Sequence, residues 1–354
     1  MSRAWVAPLL LSALLSASSA RATPSIWQRA REPGARVQQA ILNRIERLLS
    51  ALGLAEFDAE LSAGAVALAQ LGQSRWPCLV RPGSAADGAG AAAPSATEVV
   101  LDARSEYLIG GALLDSQAGR EPEARCMLER ALRDAPNSPL AAHGLSDLAI
   151  AAAKMGDREA EHAAYLRALE LTWEPDSRGN LLANLAESEM ALGDLSAAVR
   201  GYRNALASSQ QPDLVAGAYF GLAVALDRSG DLPSALDAAK RAISVQLPPT
   251  LFSVGSVLDL PNVFFSPDYE IHYYKALGAM AAAQLAKDDI ARRDALADAN
   301  EQWSRYLRRA QADRAPFAPR AALHEASVSR QLAEISEKLK RNPPPKLDPE
   351  APLL

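Results

Sequence analysis

Along most of the chain, apolar and small residues recur at intervals of three and four with polar residues between them, the spacing of amphipathic helices. The stretch LANLAESEMALGDLSAAVRGYRNAL (182–206) holds two such patterns, one on each side of Gly193. Gly119, Gly156, Gly193 and Gly230 stand 37 residues apart, three times in succession. With 20 glycines in 354 residues, that run has a chance of roughly one in several thousand. Alanine lies seven residues before each glycine (Ala112, Ala149, Ala186, Ala223) and again twelve after it (Ala131, Ala168, Ala205, Ala242). The spacing predicts four helical hairpins over 104–249, each bent at its glycine, with alanine where the two helices cross.

Local chemistry agrees with this reading. Glycine takes the positive φ of a helix C-terminal cap without steric cost. Asp157, Asp194 and Asp231 follow three of the glycines, where a carboxylate suits the start of the next helix. Pro175, Pro212 and Pro249 stand nineteen residues after a glycine and are expected to stop each second helix. One hairpin cannot bury its own apolar face, so the units must stack. The predicted fold is all-α, a right-handed solenoid of stacked antiparallel helical hairpins.

The third unit, with Ala186, Gly193, Ala198, Tyr202 and Ala205, resembles the tetratricopeptide repeat. The resemblance covers about 104–250. It departs from that pattern in its period, which is 37 where the family's is about 34. Glu161 replaces a small residue, and Asp115 and Glu189 stand where an apolar residue is usual. The resemblance implies a concave groove lined by the first helix of each unit. It turns His143, Asp147, Asn180, Asn184, Glu187, Phe220 and Asp227 toward that groove. Asn184 is the sharpest candidate, because an amide both donates to and accepts from an extended peptide backbone. The family's carboxylate clamp uses basic side chains, but the equivalent places hold Ile109, Leu113, Asp147, Asn180 and Asn184. An acidic-polar groove of this kind suits a neutral or basic partner segment, and clamping of an acidic C-terminus is disfavoured.

The flanks differ from the array. Residues 1–22, MSRAWVAPLLLSALLSASSARA, read as a secretory signal peptide, with Arg3, a short apolar run and a small-residue cleavage site. That predicts an exported chain, periplasmic or secreted. Residues 23–81 are expected to form an N-terminal helical cap and 82–103 a flexible loop. The stretch 250–268 is an irregular insertion, either a loop packed over the last repeat or a partner-binding lip carrying Phe252, Val263, Phe264 and Phe265. Residues 269–340 form a divergent fifth hairpin, marked by Gly278, Trp303, Tyr306 and Pro316, and a capping helix. The proline-rich 341–354 reads as a disordered tail.

Charge and composition narrow the function. Hydrophobic residues are 49% and charged ones 22%, enough to fold, and only 5% are aromatic. The net charge of −5 lacks the strongly basic footprint of nucleic-acid binding. Signal cleavage takes away two arginines and no acid, moving the charge to −7. Export permits a disulfide, and the two cysteines are Cys78 and Cys126, either bonded or buried as small apolar thiols. Four scattered histidines, with no HExxH, GxSxG or phosphate-loop motif, offer no catalytic constellation, metal site or cofactor site. The reading is a non-enzymatic adaptor in a bacterial cell envelope that binds a protein or peptide partner. Chains with this look often support secretion, pilus or motility machinery. The competing reading is a cell-wall or membrane-surface protein using the nine basic residues between Arg305 and Arg341.

Overall fold

The computed structural model describes residues 121–247, 256–260 and 263–342. The signal peptide, the N-terminal cap, the loop, Gly119, Asp115, Cys78, Pro249, Phe252 and residues 343–354 of the tail lie outside the described residues, while Arg341, read as tail, is helical. Within them run ten α-helices and two 3-10 turns: α1 Glu121–Asp134, α2 Ala141–Met155, α3 Arg158–Leu171, α4 Pro175–Ala191, α5 Leu195–Ser208, α6 Pro212–Arg228, α7 Leu232–Ser244, α8 Ile271–Leu285, α9 Asp289–Ala310 and α10 Ala318–Arg341. The turns are Val257–Asp259 and Asp268–Glu270. Each helix packs on the next in sequence, and α6 also packs on α4 and α8. This is an all-α array of stacked antiparallel hairpins, without strands among the described residues.

The repeat arises from one bend made three times. Gly156, Gly193 and Gly230 have φ of 79°, 90° and 105°. The amide of the following aspartate reaches back five residues, Asp157 to Ala152, Asp194 to Glu189 and Asp231 to Leu226, at 2.9, 2.9 and 3.0 Å. The glycine amide reaches back three, closing a Schellman-type end on the first helix. The aspartate carboxylate then accepts from the amide three residues on, at Ala160, Ala197 and Ser234, and caps the second helix. The Arg125 guanidinium at Asp157, the Ala197 amide at Asp194 and the Ser234 hydroxyl at Asp231 are the main groups that lower these carboxyls, with the capping amides of Ala160 and Ser234 adding to it. A reversal of two or three residues places the helices antiparallel and close. Ala131, Ala149, Ala168, Ala186, Ala205 and Ala223 are accordingly fully buried.

Two details depart from the sequence expectation. Pro175 and Pro212 open α4 and α6 at their first positions, three residues after the preceding helices have ended. A proline lacks only an amide that the first helical turn leaves unpaired anyway, so it starts the next unit. Glu161, on α3 where other units carry alanine, is buried and paired with Arg158 at 2.7 Å. The last hairpin changes register: α8 and α9 join without a glycine, and Asp288 caps α9 by accepting from Ala291 N at 2.8 Å. Its core changes too. Tyr273 meets Trp303 and Tyr306 edge-on at 4.8 and 5.1 Å, and all three are fully buried. α10 packs on α9 and covers this end.

The close approach of α5 and α6 generates a paired prediction. A Cβ at Gly221 would lie 2.3 Å from the ring of Tyr202, whereas one at Gly217 meets nothing within 4 Å. Tyr202 is buried and bonded to Glu187, so its ring has nowhere to go. Gly221→Ala is expected to destabilise by about 1–3 kcal/mol. Gly217→Ala, in the same helix, is expected to stabilise by about 0.5–1 kcal/mol. Urea denaturation followed by circular dichroism distinguishes the two.

Candidate functional site

The first helices of successive units, α2, α4, α6 and α8, form the face that the sequence reading assigns to a partner. At the Gly156 bend, the end of α2 and the start of α3 hold the chain's own segment 263–266, which leads through the second 3-10 turn into α8. Arg158 Nη2 donates to the backbone carbonyl of Ser266, and Ser266 Oγ donates to the Ala153 carbonyl at 3.1 Å. The Lys154 ammonium stands 5.6 Å from the ring of Phe264. Farther along, the Tyr274 hydroxyl donates to Glu187 on α4, which also accepts from Tyr202 on α5 at 2.5 Å. The preceding turn is buried through Val257, Leu258 and Leu260 and packs on α6. The insertion's described parts are therefore packed, and they reach residues more than a hundred positions earlier as well as the last repeat.

Beneath this segment lies a set of buried charges. Arg228 is ion-paired with Glu270 and sandwiched between the rings of Tyr273 and Phe317, 4.8 and 4.4 Å from their centroids. Burial pushes the Glu270 carboxyl up, and the Arg228 guanidinium only partly offsets it. Glu161 is raised in the same way, by burial against the opposing pull of Arg158. Asp227 is the centre of a second cluster. It accepts from Tyr273 Oη at 2.5 Å, bonds His324 Nε2 at 2.9 and 3.0 Å, and faces Arg320 at 3.4 Å. Burial would push its carboxyl up, but the bonds from His324 and Tyr273 and the Arg320 charge bring it below 3.8.

These contacts sort the seven groove candidates. Asn180 is exposed and Asn184 half-buried, their amides joined at 3.2 Å on α4. His143 is half-buried and Asp147 buried on α2. Glu187 lies on the face but is already engaged by two tyrosines. Phe220 is 5% exposed and packs against Gly278 of α8, and Asp227 has no exposed surface. Both point into the α6–α8 contact and cannot meet a partner there, since the fifth hairpin stacks on that side. Cys126 lies on α1. Sequence reasoning missed Arg158 and Ser266. They are 108 residues apart, and no local pattern couples them. Among the described residues no three His, Cys, Asp or Glu side chains form a metal-binding group, and no helix is long and apolar enough to cross a membrane.

No protein-family model matches the chain, and no curated protein matches it in sequence. Among solved structures it is similar to the chain in "Crystal structure of APC/C hetero-tetramer Cut9-Hcn1", at 16% identity and a TM-score of 0.41, covering 68% of this chain and 42% of that one. It is also similar to the Rap conjugation gene regulator of the plasmid pLS20 in complex with the Phr* peptide. That match has 13% identity and a TM-score of 0.38, over 88% of this chain and 98% of that one. The chain thus spans less than half the length of the Cut9-Hcn1 chain.

The Asp227 cluster ties α10 to the array, and its sign with pH follows from the lowered carboxyl. A group with a depressed folded pKa contributes stability above its unfolded value, near 3.8, and loses it as pH falls through the lower folded value. Acid titration of Asp227→Asn is expected to lack part of the stability loss that the wild type shows below about pH 4. Fluorescence of Trp303, whose ring lies 5.2 Å from that of His324, reports it.

Proposed function

We propose that this chain is a non-enzymatic scaffold that binds an extended segment of a partner protein along the first-helix face of its array. The observation that carries this reading is that the array already holds an extended polypeptide at the bend between α2 and α3. Residues 263–266 are seated on α2 and α3 through a backbone carbonyl taken by Arg158 and a hydroxyl given to a backbone carbonyl. Main-chain chemistry of that kind is available in any extended partner. The own segment leaves Asn180 and Asn184 accessible on α4, with amides able to pair with a further stretch of backbone. Positions 147, 180 and 184 carry no Lys or Arg, so the suited segment is neutral or basic.

The setting we propose is the bacterial cell envelope after export, in an adaptor role for secretion, pilus or motility machinery. The signal-like residues 1–22 and the even cysteine count support it. Cys78 pairing with Cys126 would then staple the N-terminal segment to the first repeat.

Two experiments bear on this. Crosslinking capture from the native compartment is expected to fall about tenfold in the Asn180→Ala/Asn184→Ala double variant, the loss of two net hydrogen bonds, with Tm unchanged. Equal capture of the same partners would remove the groove assignment. A non-reducing peptide map of protein taken from the envelope fraction is expected to show the Cys78–Cys126 linked pair, whereas full alkylation of both thiols there would rule out the bonded, exported form.

A further inference from the structure

The nine basic residues between Arg305 and Arg341 do not share one surface. Arg320 turns inward to Asp227, Lys338 pairs with Asp289 at 2.5 Å, and Lys340 pairs with Glu337 at 2.7 Å. What remains together is Arg305, Arg308 and Arg309, spaced to lie on one side of α9. They line an open cleft of about 520 Å³ with Asp268, Tyr269 and His272, which come from the 3-10 turn and the start of α8.

The cleft's parts are held differently. Arg305 is anchored by Glu301 at 2.5 Å, and Arg309 lies 3.7 Å from Asp268 and 6.0 Å from the centre of the Tyr269 ring. His272 Nδ1 bonds Gln302 Oε1 at 2.8 Å, and Gln302 in turn donates to Asp298 at 3.0 Å, so the imidazole is fixed in orientation. Arg308 has no ionic partner among the described residues. Basic residues in the last turn of a helix offset its dipole, which accounts for Arg308 and Arg309 alone. It does not account for the convergence of Arg305 from one turn earlier and an oriented imidazole from a second helix on one concavity.

We propose that this cleft binds a phosphate group. Guanidinium forks match two oxygens of a phosphate. Glu301 pairs with Arg305, Asp268 stands 3.7 Å from Arg309, and Asp313 bonds Tyr269, which leaves the Arg308 guanidinium beside the oriented imidazole to take the group. The cleft is open and larger than a bare phosphate, so it has room for a phosphate borne on a larger molecule. The site lies away from Asn180 and Asn184 and does not depend on the partner-binding reading. The whole chain carries a net negative charge, so attraction here is local to the cleft.

Calorimetric titration of the full chain with inorganic phosphate and with O-phospho-L-serine, at constant ionic strength set by chloride, tests it. Saturation of one site with movement of the His272 imidazole NMR signals is expected. Arg308→Gln is expected to weaken binding by about tenfold, whereas Arg330→Gln on α10 shifts it by less than about twofold. Both variants should keep the wild-type Tm, since Arg308 and Arg330 are exposed. Absence of saturation with either soluble probe, or equal effects of the two variants, overturns the site. Vesicles of phosphatidylcholine with and without phosphatidic acid identify the source. Retention on phosphatidic acid that accompanies saturable binding and is lost in Arg308→Gln assigns a lipid headgroup. Saturable binding without retention assigns a soluble phosphate compound. Retention without saturable binding refutes the cleft.

Discussion

The structure depends on a reversal that the chain completes in two or three residues. A glycine in the left-handed region ends one helix, and the aspartate after it starts the next. A side chain at the glycine would crowd the following carbonyl, while the carboxylate supplies a partner for an otherwise unpaired amide. With so short a connection the two helices must lie antiparallel and close, and alanine at the crossing is the consequence. The same geometry leaves each hairpin with apolar surface on both sides, so one unit requires the next.

That requirement ends differently at the C-terminal end. The alanine-lined spacing of the array gives way to Tyr273, Trp303 and Tyr306, whose rings fill a deeper volume between α8, α9 and α10. Aromatic packing alone has little directional preference over where the last hairpin sits. Direction comes from the charged groups: Asp227 held by Tyr273, His324 and Arg320, and Arg228 paired with Glu270 between two rings. Burying such groups costs solvation that their pairing roughly returns, so their main effect is to penalise any other docking in which one partner is left alone.

The same end of the molecule bears on the proposed partner surface. Segment 263–266 rests on the α2–α3 bend and Tyr274 of α8 reaches Glu187, while the Asn180–Asn184 amides stay accessible. It also gathers three arginines of α9 against the entry to α8, on a surface separate from those amides. The proposed partner face and the proposed phosphate cleft thus both depend on the stacking of the fifth hairpin on α6.

The repeat length, the helices, the bends and their caps were readable in the sequence because all of them are local. A 37-residue period, an Ala at a crossing and an Asp after a Gly act within one hairpin or between neighbours. Glu161 showed the edge of that legibility: its misfit was visible, but not the Arg158 that accommodates it. The prolines were read as stops because chain position alone does not separate the end of one helix from the start of the next. Tertiary structure decided which polar residues are available. Asp227 and Phe220 were assigned to the same groove as Asn184, yet they are buried because α8 and α10 come to rest on α6. Contacts at separations of 46, 97 and 108 residues depend on how units stack in space, and no spacing along the chain encodes them.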